Sequence, residues 1–216
     1  MEPSLPRRMY LLCYKPERDR LESASVLARG TLMRGAALAQ LAIEGHLRDR
    51  DGRAERTRTA AAHPTDPFLA EVLESVSPTR PRHWFTAVEK QWHTAEATVR
   101  DQLADDGTIT VARRRILGLI PLRRVSGADP TLVRDLQDRV RDTVTGGHAP
   151  HTVPIEDAAL AVFCVDGDVR TVLTPRRRRE NKAALRALTA HLDETLPALR
   201  KAVLWSVAAR RSAAAS

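Results

Sequence analysis

Five arginines bracket five large apolar residues in one stretch of this chain: Arg113-Arg114-Arg115-Ile116-Leu117-Gly118-Leu119-Ile120-Pro121-Leu122-Arg123-Arg124. A guanidinium presents a planar fork of donors that pairs with phosphate oxygens. An apolar tip gains free energy by leaving water. The two together are the chemistry of an anionic lipid surface, where basic residues meet headgroups and apolar side chains enter the interface. A contiguous apolar patch also marks contacts within or between proteins. The competing reading packs the tip into the chain's own core or a sister subunit and leaves the arginines solvated.

Other reactive chemistry is sparse. The sequence contains no Walker loop, GxGxxG, HExxH, GxSxG or CxxC pattern. His148 and His151 lie three apart, but Gly146, Gly147 and Pro150 set them in a loop without further ligands, so no metal site is expected. Glu156-Asp157 looks like an acid pair, yet adjacent residues do not face each other on a helix, and acidic residues favour a helix start. Cys13 and Cys164 both sit in apolar runs and read as small core residues. No catalytic residue and no cofactor is assigned, and the chain is expected not to be an enzyme.

The elements that position the arginines follow from periodicity and turn chemistry. The chain has 216 residues, enough for one domain with a sizeable core. Ser25 to Glu44 reads as a helix, with Leu32, Ala36, Ala39 and Ile43 recurring at spacings of four and three, and Gly45 as its stop. His46 to Arg58 reads as a hairpin turning at Asp51-Gly52. Thr65-Asp66-Pro67 announces a helix start. Arg82 to Asp105 is the clearest helix, with Trp84, Val88, Trp92, Ala95, Val99 and Leu103 on one stripe. Thr108 to Val111 alternates like a strand and leads through Ala112 into the arginine-flanked tip. Asp129-Pro130 starts a helix with Leu132, Leu136, Val140 and Val144 on its inner face. Ala158 to Val165 is wholly apolar and expected to be buried; Arg176 to Arg179 is a basic run leading into a helix, and a last helix begins near Leu196. Met9 to Tyr14 suits a strand or a buried helix start. The result is a mainly α, single helical domain with one or two hairpins.

The charge balance is basic, +8, and of 35 basic residues only Lys15, Lys90, Lys182 and Lys201 are lysine. A genome-wide bias towards Arg codons explains the choice of Arg over Lys, but not the excess, which favours phosphate-bearing partners. Met1 to Arg8 has no signal-peptide character, and no run reaches the roughly 20 apolar residues a membrane span needs. The expected location is cytoplasmic, with peripheral membrane association.

Several segments, in order, resemble the Golgi phosphoprotein 3 family, a Golgi adaptor that binds phosphatidylinositol 4-phosphate and has many bacterial relatives. They are Met9 to Leu12, Leu32 to Leu47, Leu103 to Thr110 followed by Arg113 to Pro121, and Val203 to Val207. The resemblance implies a mostly helical fold around a buried central helix, with a projecting β-hairpin used for membrane contact and self-association. It implies a helical domain over 9–211, between a flexible N-terminus 1–8 and a disordered tail 212–216. It also implies a headgroup pocket. The family's core-helix arginine falls at Arg34; its tryptophan falls near Ser25 and two further arginines near His93 and Glu96, none of which keeps the family residue. Arg29, near the same helix end, and Arg100, on the long helix, are the additional headgroup candidates.

The sequence therefore favours a peripheral membrane-binding protein. Arg34, Arg29 and Arg100 would meet an anionic headgroup. Arg113, Arg114, Arg115, Ile116, Leu117, Leu119, Ile120, Arg123 and Arg124 would form the membrane-contact hairpin. Its partners would be an anionic phospholipid membrane, a second copy through the hairpin, and tails of membrane proteins, as the family's adaptor role implies. The alternatives are a winged-helix-like DNA-binding protein, whose wing would have little use for an Ile-Leu-Gly-Leu-Ile tip, and a non-enzymatic oligomeric scaffold.

Overall fold

A computed structural model describes residues 2–57, 63–116, 120–196 and 198–215, and between 113 and 123 it describes backbone alone. The described residues form ten α-helices: α1 Leu5–Leu12, α2 Arg29–Ile43, α3 Pro67–Ser75, α4 Trp84–Glu89, α5 Trp92–Asp105, α6 Pro130–Thr145, α7 Ile155–Asp166, α8 Pro175–Glu180, α9 Lys182–Thr195 and α10 Leu199–Ala215. Three small antiparallel sheets join them: β1 Tyr14–Lys15 with β2 Arg20–Leu21; β3 Leu47–Arg50, β4 Arg53–Arg56 and β5 Arg82–His83; and β6 Thr110–Ile116 with β7 Ile120–Ser126.

Helix α2 is the axis of the core. Every residue from Arg29 to Ala39 is buried, because α1, α3, α4, α5, α7 and α10 all pack on it. Its small residues permit this. A Cβ on Gly30 would lie 2.2 Å from the Trp92 carbonyl oxygen, and one on Gly35 would lie 2.6 Å from Val203 Cγ2. Helix α7 forms a second wall, buried almost throughout as its apolar run requires. Cys13 and Cys164 are buried free thiols, and burial pushes the Cys13 thiol up to about 12.

Local signals were obeyed where they were chemical. Asp66 and Asp129 cap α3 and α6, their carboxylates accepting from backbone N–H groups of the first turn. Asp51 and Gly52 turn the β3–β4 hairpin with φ of 52° and 76°, the left-handed pair that a two-residue hairpin of this kind needs. Met9–Leu12 belongs to helix α1, which begins at Leu5, inside the segment expected to be a flexible N-terminus. The Glu2 carboxylate holds that segment through Arg8 and Arg139. At the other end α10 continues to Ala215, through most of the expected tail.

Three expectations about the helices are corrected. The helix read over Ser25 to Glu44 starts only at Arg29, since Ser25–Ala28 forms turns. The single helix read over Arg82 to Asp105 is a short strand and two helices. It breaks at Gln91, whose φ of 55° is left-handed. The break gives the two tryptophans different surroundings. Trp84 is buried, with its indole N–H on Asp49, while Trp92 is half-buried under Arg210, whose guanidinium lies 3.6 Å from the ring centroid. On α6, Leu132 is exposed and Val133 takes the buried place.

Arg210 also makes a two-pronged ion pair with Glu89, at 3.0 and 2.9 Å, tying α10 to α4. Burial raises the Glu89 pKa, but the hydrogen bonds from Arg210 and Ser206 and the Arg210 charge outweigh it and leave the carboxyl below its ordinary 4.5. A carboxyl depressed in the folded state stabilises the fold above its unfolded pKa and loses that contribution as pH falls through the folded value. Between pH 6 and pH 3.5 the urea midpoint of wild type is therefore expected to fall further than that of Glu89→Gln. Parallel pH profiles of the two proteins would remove the linkage from this pair.

Candidate membrane-binding site

The hairpin is set by its root. Ile109, Val125 and Ala128 are buried, Val111 is half-buried, and β2 packs beside β7. Gly127, at φ 76°, donates its N–H to the Asp19 carboxylate at 2.8 Å, which pins the strand leaving the hairpin. From this root the ladder pairs residue by residue, with Ala112 across from Arg124, Arg113 from Arg123, Arg114 from Leu122, Arg115 from Pro121 and Ile116 from Ile120. Seven residues of strand reach about 23 Å at roughly 3.3 Å per residue.

Residues directly opposite share a face, and faces alternate along a strand. Positions 113, 115 and 123 thus fall on one face and 114 and 124 on the other. Arg113 and Arg123 are like charges in register, which is unfavourable unless an anion lies between them. Arg124 is exposed. Leu117, Gly118 and Leu119 lie outside the described residues. So do the side chains of Arg113, Arg114, Arg115, Ile116, Ile120 and Arg123, for which the structure supplies register alone.

The three arginines read as headgroup candidates do not converge. Arg34 is fully buried and turns towards α3 and α4; its Nε donates to the Ala87 carbonyl at 3.0 Å and its Nη2 to the Ser75 hydroxyl. Arg29 turns towards α5 and pairs with Glu96 at 2.8 Å. Five residues along a helix rotate a side chain by about 140°, which accounts for the divergence. Arg100 pairs with its neighbour Asp101 at 2.7 Å. Of the four positions that the resemblance assigns to a headgroup pocket, three lie around Arg29 and the fourth, Arg34, does not: Ser25 is buried one turn before Arg29, Glu96 is its partner, and His93 is exposed against the edge of Trp92. The Glu96 carboxylate, which alone would repel a phosphate, is neutralised by Arg29.

The larger cleft, about 800 Å3, has the wrong charge for an anionic headgroup. Glu2, Glu44, Asp66 and Asp106 line it, and its Arg7 is held between Asp66 at 3.3 Å and Asp106 at 2.6 Å. A smaller cleft of about 330 Å3 lies between the end of α3 and α4 and includes Ser75, Arg82, Ala87 and Lys90. Sequence reasoning missed these residues. Arg82 and Lys90 were read as parts of one long helix, and nothing local announces that Ser75 lies against Arg34.

The described residues define a class: a helical domain wrapped around a buried central helix, with no helix long and apolar enough to cross a membrane, carrying an arginine-rich β-hairpin. The chain matches the Golgi phosphoprotein 3 (GPP34) family over residues 5–204 and belongs to it. No curated protein matches the chain. Membership accounts for the central helix and the hairpin together, and at the level of the family it associates the chain with phosphoinositide-binding Golgi adaptors.

Proposed function

We propose that this protein is a peripheral membrane-binding protein that recognises anionic phospholipid headgroups, phosphatidylinositol 4-phosphate among them, with the β6–β7 hairpin as its anchor. The observation that carries the reading is the hairpin register, which sets Arg113 across from Arg123 and brackets an apolar tip segment with five arginines. Anionic headgroups relieve that repulsion, and the apolar residues supply the insertion that charge alone cannot. At about 1 kcal/mol per basic residue near an anionic surface, five arginines contribute several kcal/mol. The reading involves binding alone, with no bond made or broken. Self-association through the hairpin and capture of membrane-protein tails are its secondary partners, and its location is cytoplasmic at a membrane surface.

Co-sedimentation with neutral, generic anionic and phosphatidylinositol 4-phosphate vesicles at two salt concentrations tests it. Pelleting with anionic vesicles is expected to fall steeply with salt, and neutral vesicles are expected to leave the protein in solution. Leu117→Ser with Leu119→Ser is expected to weaken binding about tenfold or more without changing thermal stability, because insertion of the tip is lost. Absence of any charge-dependent pelleting would overturn the membrane reading. Strong self-association in sedimentation velocity without lipid binding would instead leave the oligomeric scaffold.

A further inference from the structure

The positive charge of the chain is concentrated in a second place besides the hairpin. Residues 176–186 carry six cations, Arg176, Arg177, Arg178, Arg179, Lys182 and Arg186, against one acid, Glu180, a net +5. The hairpin stretch 113–124 holds five arginines and no acid. The whole chain is only +8, so everything outside these two stretches is slightly acidic. Like charges crowded on a folded surface repel one another, and a fold that gathers them in two places gains most from an anionic partner that meets both.

Helix α8 shows which of these cations are open to a partner. Arg178 is used within the fold: its Nε donates to the Leu173 carbonyl at 2.9 Å and its Nη1 to Asp168 at 2.8 Å. At about 100° per residue, Arg177 and Arg179 then lie to either side of Arg178 and fan away from the core. Both are exposed, as are Lys182 and Arg186 on α9, and none of the four makes an ion pair among the described residues. Glu180, the one acid, is taken by Arg176 at 2.7 Å. No large apolar side chain is exposed along 170–186, so this surface can attract an anionic partner but cannot insert into it.

The surface runs on to the root of the hairpin. Asp168 bridges Arg178 and Arg170, at 2.8 and 2.9 Å. The exposed Arg170 is held in its charged form by Asp168 and by the weaker field of Glu22, which directly follows β2 and its exposed Arg20. Strand β2 packs beside β7, whose exposed Arg124 acts on the Asp19 carboxylate through its field. The exposed acids along this line are themselves occupied, Asp19 by the Tyr14 hydroxyl and the Gly127 N–H, Glu17 by Arg134 at 4.0 Å. We propose that this belt, from Arg124 and Arg20 through Arg170 to Arg177, Arg179 and Lys182, is a second contact surface for the anionic membrane, which lays the domain on its α8 side instead of leaving it suspended from the hairpin tip. The proposal rests on the membrane reading above. Charge complementarity and continuity with the hairpin select the bilayer as the occupant. Nucleic acid fits less well, since residues 170–186 offer no aromatic ring to stack on a base and Asn181 turns its amide to the Arg177 carbonyl. Two contacts on one body reinforce each other, because the second forms at the high effective concentration that the first creates.

Co-sedimentation of the full chain with vesicles of phosphatidylcholine and phosphatidylserine, and with phosphatidylcholine alone, tests the belt. Arg177→Gln with Arg179→Gln removes two exposed cations that hold nothing in the fold, so it is expected to leave the melting temperature unchanged and to weaken binding to the anionic vesicles about tenfold or more. Arg53→Gln with Arg80→Gln, an equal loss of exposed charge beside the three-stranded sheet, is expected to bind like wild type. A dye on Ala183→Cys, exposed on α9 while Cys13 and Cys164 are buried, is expected to become shielded from aqueous iodide when anionic vesicles are added. A belt variant that pellets like wild type, or a dye as open to iodide on vesicles as in solution, would overturn the proposal and leave the hairpin reading in place. Full binding by Leu117→Ser with Leu119→Ser, together with loss in the belt variant, would remove the hairpin as anchor and leave the belt. Wild type that ignores vesicle charge would overturn both. Duplex DNA bound by wild type and lost by the belt variant, with vesicle binding unaffected, would overturn the membrane as occupant and give the belt to nucleic acid.

Discussion

Reversing one strand of the hairpin, Arg113→Glu with Arg114→Glu and Arg115→Glu, is expected to lower the affinity for anionic vesicles by at least 100-fold. Each basic residue near such a surface contributes about 1 kcal/mol. Three reversals remove about 3 kcal/mol of attraction and add repulsion of similar size, which together exceed the 2.7 kcal/mol or so that two decades of affinity require. The fold should survive the change. The root is held by Val125, Ile109 and the Gly127–Asp19 hydrogen bond, all outside the altered stretch. Across the ladder, a glutamate at 113 would face Arg123 as an opposite charge, which favours the pairing instead of opposing it. Lost binding in the triple variant, with an unchanged melting temperature, would therefore be a surface effect. If the variant pellets like wild type at both salt concentrations, the hairpin is not the anchor.

The largest stability effect is expected from one methyl group at Gly30. Alanine gains about 1 kcal/mol over glycine in a helix interior. Here its Cβ would sit 2.2 Å from the Trp92 carbonyl oxygen. That neighbour is backbone at the start of α5, so it cannot rotate aside; α2 and α5 must separate. Overpacking of this kind costs about 1–3 kcal/mol and more when the backbone must move. Gly30→Ala is expected to destabilise the protein by about 2 kcal/mol net, a fall of roughly 4–8 °C in melting temperature for a chain of this size. Gly35→Ala meets Val203 Cγ2 at 2.6 Å, a side-chain atom that can shift, and should cost less. A Gly30→Ala variant as stable as wild type in urea titration would mean that the α2–α5 contact is looser than this geometry.

The arginines separate what was legible in the sequence from what was not. The hairpin group could be found by reading along the chain, because a β-hairpin brings together residues that are already near each other in sequence. The headgroup group could not. Arg34 and Arg29 looked like neighbours on one helix, yet Arg34 is spent on Ser75 and Ala87, 41 and 53 residues away, and Arg29 on Glu96, 67 residues away. The same distance in sequence hid the cleft, whose walls come from the end of α3 and from α4.

By itself the sequence determined the helical class, the central apolar helix, the Asp51-Gly52 turn, the Asp66 and Asp129 caps and the family. Each of these is written in periodicity, in turn or cap chemistry within a few residues, or in ordered motifs along the chain. The tertiary structure alone decided the break at Gln91, the facing of each arginine and the partners that neutralise it. A helical stripe of apolar residues continues smoothly through Trp84, Val88 and Trp92 whether or not the backbone turns left-handed between them. The turn leaves Trp84 in the core and Trp92 half-buried under Arg210, and that is set by packing, not by pattern.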